Sequence, residues 1–171
     1  MGQHYTTLKS KDIAFIKRQK IFFVASSSGQ EVNLSPKGYE SLAILDAQTL
    51  LYMDFAGSGN RSYRDATAGG AFTLMFNAFE GEANITKVFA KAEVVGKADT
   101  RFVEYMQHFQ TSPTEIRQLF SFSYLCCRDK LWNGCTIYGV SKRTKVTEKM
   151  VKEYGRRRKT RRLYRSTSST S

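Results

Sequence analysis

A chain of 171 residues that is 41% hydrophobic, with 12 Phe, 9 Tyr and 1 Trp, can bury one core unaided and is not a disordered polymer. Three cysteines do not make a paired secreted framework, and no apolar run reaches the ~18–20 residues of a helical membrane span. The formal charge of +12 sits almost wholly in one stretch: Lys142–Arg165 holds 12 Lys/Arg and 2 Glu, whereas the rest has 15 basic and 13 acidic residues. This excludes reading the total charge as a property of the body.

In chain order, residues 10–19 read as a helix. Ser10 is the expected cap, Ile13, Phe15 and Ile16 form the apolar side, and Lys17, Arg18 and Lys20 lie near the C-terminus, where the helix dipole favours cations. Ile21–Ala25 and Val32–Ser35 read as two strands joined by Ser26-Ser27-Ser28-Gly29, with Pro36 and Gly38 stopping the second. Ala43–Leu45 reads as a strand and Asp46–Gln48 as a turn. In the next strand, Leu50–Phe55, Leu51, Met53 and Phe55 share one face, and Tyr52 and Asp54 the other. A helix over 61–68 is ended by Gly69-Gly70. Phe72–Phe79 alternates cleanly and turns through Glu80-Gly81-Glu82 into a β-rich stretch at 85–95, which makes a second hairpin.

Asp99–Phe109 has helical spacing, with Asp99 as the expected cap, and Ser112-Pro113-Thr114-Glu115 has the form of another helix start. Leu119–Leu125 alternates again, and Cys135–Val140 reads as a last strand. Six or more short strands in sequential hairpins predict a mainly β, antiparallel fold with peripheral helices. A closed or nearly closed barrel hides its edges best.

Two segments carry candidate chemistry. Val32-Asn33-Leu34-Ser35-Pro36-Lys37-Gly38 and Gly57-Ser58-Gly59-Asn60-Arg61-Ser62 combine glycines, hydroxyl and amide donors, two cations and a following helix N-terminus. That mixture suits a phosphate. It equally suits two polar turns between strands, since neither is a P-loop or a dinucleotide fingerprint.

Taken together, Phe22-Phe23-Val24-Ala25, Val32–Gly38, Ile44-Leu45-Asp46, Tyr52-Met53-Asp54, Gly57–Asn60 and Thr73–Gly81 resemble, in this order, the pyridoxamine 5′-phosphate oxidase-like family. The resemblance covers roughly residues 5–140 and is most specific from 21 to 81. It implies an FMN-binding split β-barrel over 1–140, usually a homodimer with FMN at the subunit interface, and an FMN-dependent oxidoreductase acting on a small molecule. The phosphate ligands it implies are Asn33, Ser35 and Lys37, with Ser58, Gly59, Asn60, Arg61 and Ser62. No catalytic acid, base or nucleophile is assigned, because hydride chemistry belongs to the flavin.

Several positions depart from the family pattern: Arg61 stands at an acidic position, Asp65 at a histidine, and Asn84 and Lys87 at arginines. Arg117-Gln118 and Gly134-Cys135 with Tyr138–Val140 still resemble family segments. Relatives also use a deazaflavin, bind haem or lack activity, so a deazaflavin or no cofactor are the alternatives.

Other constellations carry less. Cys126, Cys127 and Cys135 lack zinc spacing and have no histidine nearby, so no metal site is expected. His108 reads as a surface or packing residue, and Glu80 and Glu82 as a solvated turn. Met1–Thr6 fits the loose myristoylation pattern. No signal peptide opens the chain, so a cytoplasmic location is expected. In the tail, 141–171, Thr147 can cap a short helix, and Arg156–Lys159 with Arg161-Arg162 form like-charge blocks. Through 142–165 the tail can contact nucleic acid or an anionic membrane, can direct the chain to the nucleus, or can be solvated without a partner.

Overall fold

The computed structural model describes residues 3–29, 31–38, 40–57, 59–110, 114 and 116–130, with 3, 4 and 124–130 described by their backbone alone. The elements run β1 (Gln3–Tyr5), α1 (Ser10–Lys17), β2 (Phe22–Ser27), β3 (Asn33–Lys37), β4 (Leu42–Ile44) and β5 (Thr49–Phe55). Then follow α2 (Arg61–Thr67), β6 (Ala71–Asn77), β7 (Ile85–Val95), α3 (Arg101–Met106) and β8 (Ile116–Lys130). They form one compact unit, residues 1–78 with 84–131. The turn 79–83 falls outside it, and in that turn Gly81 adopts φ +77° while Glu80 and Glu82 are exposed.

The eight described strands form one sheet in the order β3-β2-β6-β7-β8-β5-β4, with β1 added to β8, and all ladders are antiparallel. This is the mainly β, antiparallel architecture expected from the strand count, and it fits the split barrel that the family resemblance implies. The β2–β3 and β6–β7 hairpins both form. The last expected strand, Cys135–Val140, lies outside the described residues, as do the cysteine Cys135, the myristoylation start Met1-Gly2 and the whole basic tail.

Phe22 and Val24 of β2, Leu50 and Tyr52 of β5, Phe72, Leu74 and Phe76 of β6, and Phe120 and Phe122 of β8 build the main core. Phe15 and Ile16 of α1 close it. Rings stack through it, Phe22 on Phe76 at 5.5 Å and Phe120 on Phe122 at 6.1 Å between centroids. A second cluster on Met53, Val95, Ile116 and Leu119 is covered by Phe102 and Met106 of α3. Because β5 serves Leu50 and Tyr52 to one cluster and Met53 to the other, its burial does not alternate.

Three local expectations differ from the structure. The cap of α1 is Lys9, whose N–H donates to Asp12 Oδ2 at 3.0 Å, so Ser10 is the first helical residue. Pro36 does not stop β3: it pairs with Phe23, which is permitted because β3 lies at the end of the strand path, where a missing N–H costs no ladder bond. At α3, Thr100 occupies the cap position, although Asp99 Oδ1 accepts the Arg101 N–H at 2.9 Å, and the helix ends at Met106. The expected helix start at Ser112 is followed by β8, which begins at Ile116. Ser112, Pro113 and Glu115 themselves lie outside the described residues.

Candidate functional site

Three features place the site. The first is the period-two alternation of β3, which sets Asn33, Ser35 and Lys37 on one face. Leu34 and Pro36 point the other way and are exposed. The second is the β5–α2 loop. The third is an irregularity in the β5–β8 ladder: Asp54 pairs with Gln118 and Phe55 with Ile116, which leaves Arg117 as the extra residue. A bulge of this kind re-aims a side chain. Here Arg117 reaches across the loop and donates to the carbonyls of Gly59 and Gly57, both at 2.9 Å, and to Asn60 Oδ1 at 3.3 Å.

Between these features lies a cavity of about 330 Å³ lined by Asn33, Ser35, Lys37, Gly59, Asn60, Arg61 and Ser62, seven of the eight residues expected from the sequence. Ser58, the eighth, lies outside the described residues. Asp54, Phe55 and Tyr63 line the cavity too and were not foreseen. Neither Asn84 nor Lys87 is among the lining residues. Asn33 Nδ2 donates to Ser26 Oγ at 3.2 Å and to Ser62 Oγ at 3.3 Å, tying β2, β3 and α2 together at the floor.

The two expected cations are placed differently. Lys37 Nζ sits 5.3 Å from the Tyr52 ring centroid, a cation–π contact. Burial pulls the Lys37 pKa down, and the Asp54 carboxylate offsets part of that. Burial likewise pushes the Asp54 carboxyl up, against the hydrogen bond from Gln118 Nε2 at 2.9 Å and the charges of Lys37 and Arg117. Arg61 is engaged elsewhere: Nη1 donates to Glu31 Oε2 at 2.5 Å and Nε to Asp65 Oδ1 at 3.1 Å. Asp65 is fully buried and also accepts the hydroxyls of Ser26 and Ser28, both at 2.7 Å. It therefore anchors α2 to β2, and Arg61 is its ionic partner. Lys37 is left as the cation with the fewest polar ties in the cavity.

The missed residues had weak signals. Asp54 was visible as a polar residue at the end of an apolar strand and within the family-like segment Tyr52-Met53-Asp54, with no site role attached. Arg117 was visible as a family-like segment, but its bulge depends on the register of two strands more than 60 residues apart in sequence. Glu31 had no signal.

Among the described residues, no helix is long and apolar enough to cross a membrane, and no group of three or more His, Cys, Asp or Glu is placed to hold a metal ion. Cys126 and Cys127 take up successive positions on β8 opposite Phe89 and Val88.

Comparison with known proteins agrees with the fold. No family model matches the chain. A pyridoxamine 5′-phosphate oxidase family protein of Aspergillus flavus, ustO, is 33% identical over 94 residues, 53% of this chain and 38% of that protein. The chain therefore spans about two fifths of the length of that relative. Among solved structures, a candidate pyridoxamine 5′-phosphate oxidase from Lactobacillus delbrueckii superposes with a TM-score of 0.59 at 16% identity, covering 74% of this chain and 97% of that one. An FAD-binding protein from Mycobacterium smegmatis superposes with a TM-score of 0.54 at 12% identity, covering 74% and 97%. The chain resembles pyridoxamine 5′-phosphate oxidase family proteins in sequence and shares their fold.

Proposed function

We propose that this protein binds FMN with its phosphate and ribityl end in the cavity between β3 and α2, and acts as a flavin-dependent oxidoreductase on a small molecule. The observation that carries the reading is convergence: residues from two segments more than 20 positions apart line one cavity of hydroxyl, amide and ammonium donors. That donor set suits a phosphate with an attached polyol. Asn33, Ser35, Asn60 and Ser62 supply neutral donors, and Lys37 supplies charge. Arg117 holds the loop carbonyls away from the ligand and keeps Asn60 in place. Bound flavin would supply the hydride chemistry. This chain's residues bind it, orient it and set the charge beside it, and they hold no assigned proton-transfer role.

The relatives, a member of an oxidase family and an FAD-binding protein, support a flavin. Val32, just before β3, and Leu34 on its outer face, 72% and 65% exposed, support a second copy of the chain packed on the side of β3 away from the cavity. Purified protein should show a flavin absorption band or take up FMN, and should sediment as a dimer. Lys37→Ala should weaken FMN about tenfold, roughly the loss of one charge-assisted contact. A colourless protein with no affinity for FMN or a deazaflavin overturns the proposal.

A second reading rests on the charge of 142–165: the barrel serves as a scaffold whose tail contacts nucleic acid or anionic membrane.

A further inference from the structure

The larger of the two described cavities is elsewhere. It measures about 810 Å³ and shares no lining residue with the proposed flavin site. It lies where the strand path ends: β3 and β4 are its two terminal strands, and residues 38–41 join them without a ladder between them. In β4 the bonds to β5 are made at Ser41, Ala43 and Leu45, so the amides and carbonyls of Leu42 and Ile44 face away from β5. Those two residues line the cavity, and the buried rings of Phe22 and Phe76 form its apolar floor.

Three further observations concern polarity. First, Lys17, Arg18 and Lys20 line one side, without an ion pair among the described residues, against one lining carboxylate, Glu40. Second, Ser41 also lines the cavity and is only 2% exposed, yet its hydroxyl has no hydrogen-bond partner, while its backbone is fully used by Gly38 and Met53. A buried hydroxyl left unpaired costs stability. Third, Glu40 beside it holds φ +54°, a left-handed conformation disfavoured for a residue with a Cβ and concentrated at functional sites. An apolar floor, an excess of cations on one side and an unsatisfied hydroxyl make the chemistry of a small amphipathic anion.

We propose that this cavity is a second ligand site, which takes an apolar organic anion: a carboxylate or sulfonate on an aromatic or short aliphatic body. The body lies on Phe22 and Phe76, the anionic group meets the Lys17–Lys20 side, and Ser41 gains its missing partner by rotating its side chain toward the ligand. The site is independent of the flavin reading.

The test uses the full chain with 8-anilinonaphthalene-1-sulfonate as fluorescent probe, and octanoate and octanol as competitors. The probe should bind saturably at one site per chain, octanoate should displace it at least tenfold better than octanol, and FMN should not displace it. Lys17→Ala with Lys20→Ala, both exposed positions, should erase the preference for octanoate over octanol. Ser41→Ala should weaken octanoate about tenfold while leaving the melting temperature unchanged or higher, because the hydroxyl satisfies nothing in the ligand-free fold. Ala43→Trp, which fills the cavity, should abolish probe binding. Absence of saturable binding, displacement by FMN, or probe binding unchanged in both the lysine and the Ala43→Trp variants overturns the site. Failure of FMN uptake with the probe still bound overturns the flavin reading alone.

Discussion

Asp65 carries more of the site than its exposed neighbours suggest. Burial alone would raise its pKa, but the hydroxyls of Ser28 and Ser26 and the Arg61 guanidinium together outweigh burial and hold it below the ordinary carboxylate range. A carboxyl lowered on folding stabilises the protein above its unfolded pKa of about 3.9, and that stabilisation is lost as pH falls through the lower folded value. Asp65→Ala removes the acceptor for the buried Ser26 hydroxyl and for the Ser28 hydroxyl and should cost about 2 kcal/mol at pH 7, roughly 5 °C in melting temperature. Thermal melts followed by circular dichroism should show this gap narrowing below about pH 4. A gap that stays constant from pH 7 to pH 3 would mean that the carboxylate charge contributes nothing. The same residue shows what a departure from a family pattern means physically. An aspartate at a histidine position reads from sequence as a lost ligand, whereas it has become the post that fixes α2.

At the scale of elements, the junction of α2 and β6 is held by a close approach. A Cβ on Gly70 would meet the carbonyl oxygens of Ser27 and Asp65 at 2.6 and 2.7 Å, both of them backbone atoms that cannot swing aside. The Gly70 N–H itself donates to Asp65 O at 2.7 Å. Gly70→Ala should therefore destabilise by about 2 kcal/mol, within the usual range for overpacking, and should loosen the α2 end of the cavity. Urea denaturation with an unchanged m-value would measure it. A midpoint equal to that of the parent would show that β2 and α2 can separate at little cost. From sequence, the Gly69-Gly70 pair was legible as a stop but not as a contact with β2. The β6–β7 hairpin was legible because Phe72, Leu74 and Phe76 alternate around a glycine turn. The Ser112 start lies outside the described residues. The cavity was half legible: β3 and the loop announce themselves by composition, whereas Arg117 and Asp54 enter through register, which no local pattern encodes.

For the molecule as a whole, charge and chemistry separate along the chain. Residues 142–165 carry 12 Lys/Arg against 2 Glu, whereas the remainder, which includes the barrel, has 15 basic and 13 acidic residues. Within the barrel the cations near the smaller cavity are answered by carboxylates: Arg61 by Glu31 and Asp65, and Lys37 by the charge of Asp54. A polyanion approaching this surface gains little from them. If the chain binds RNA or DNA, counterion release should come from the tail, and log affinity should fall with log salt at a slope of about −0.7 to −0.9 per phosphate neutralised. Deleting 142–171 should then abolish the salt-dependent binding measured by fluorescence anisotropy, while FMN uptake is kept. Equal binding by the truncated chain would move the interface onto the barrel, and the lysines and arginine beside the larger cavity, which have no ion pair among the described residues, are where it would then be sought.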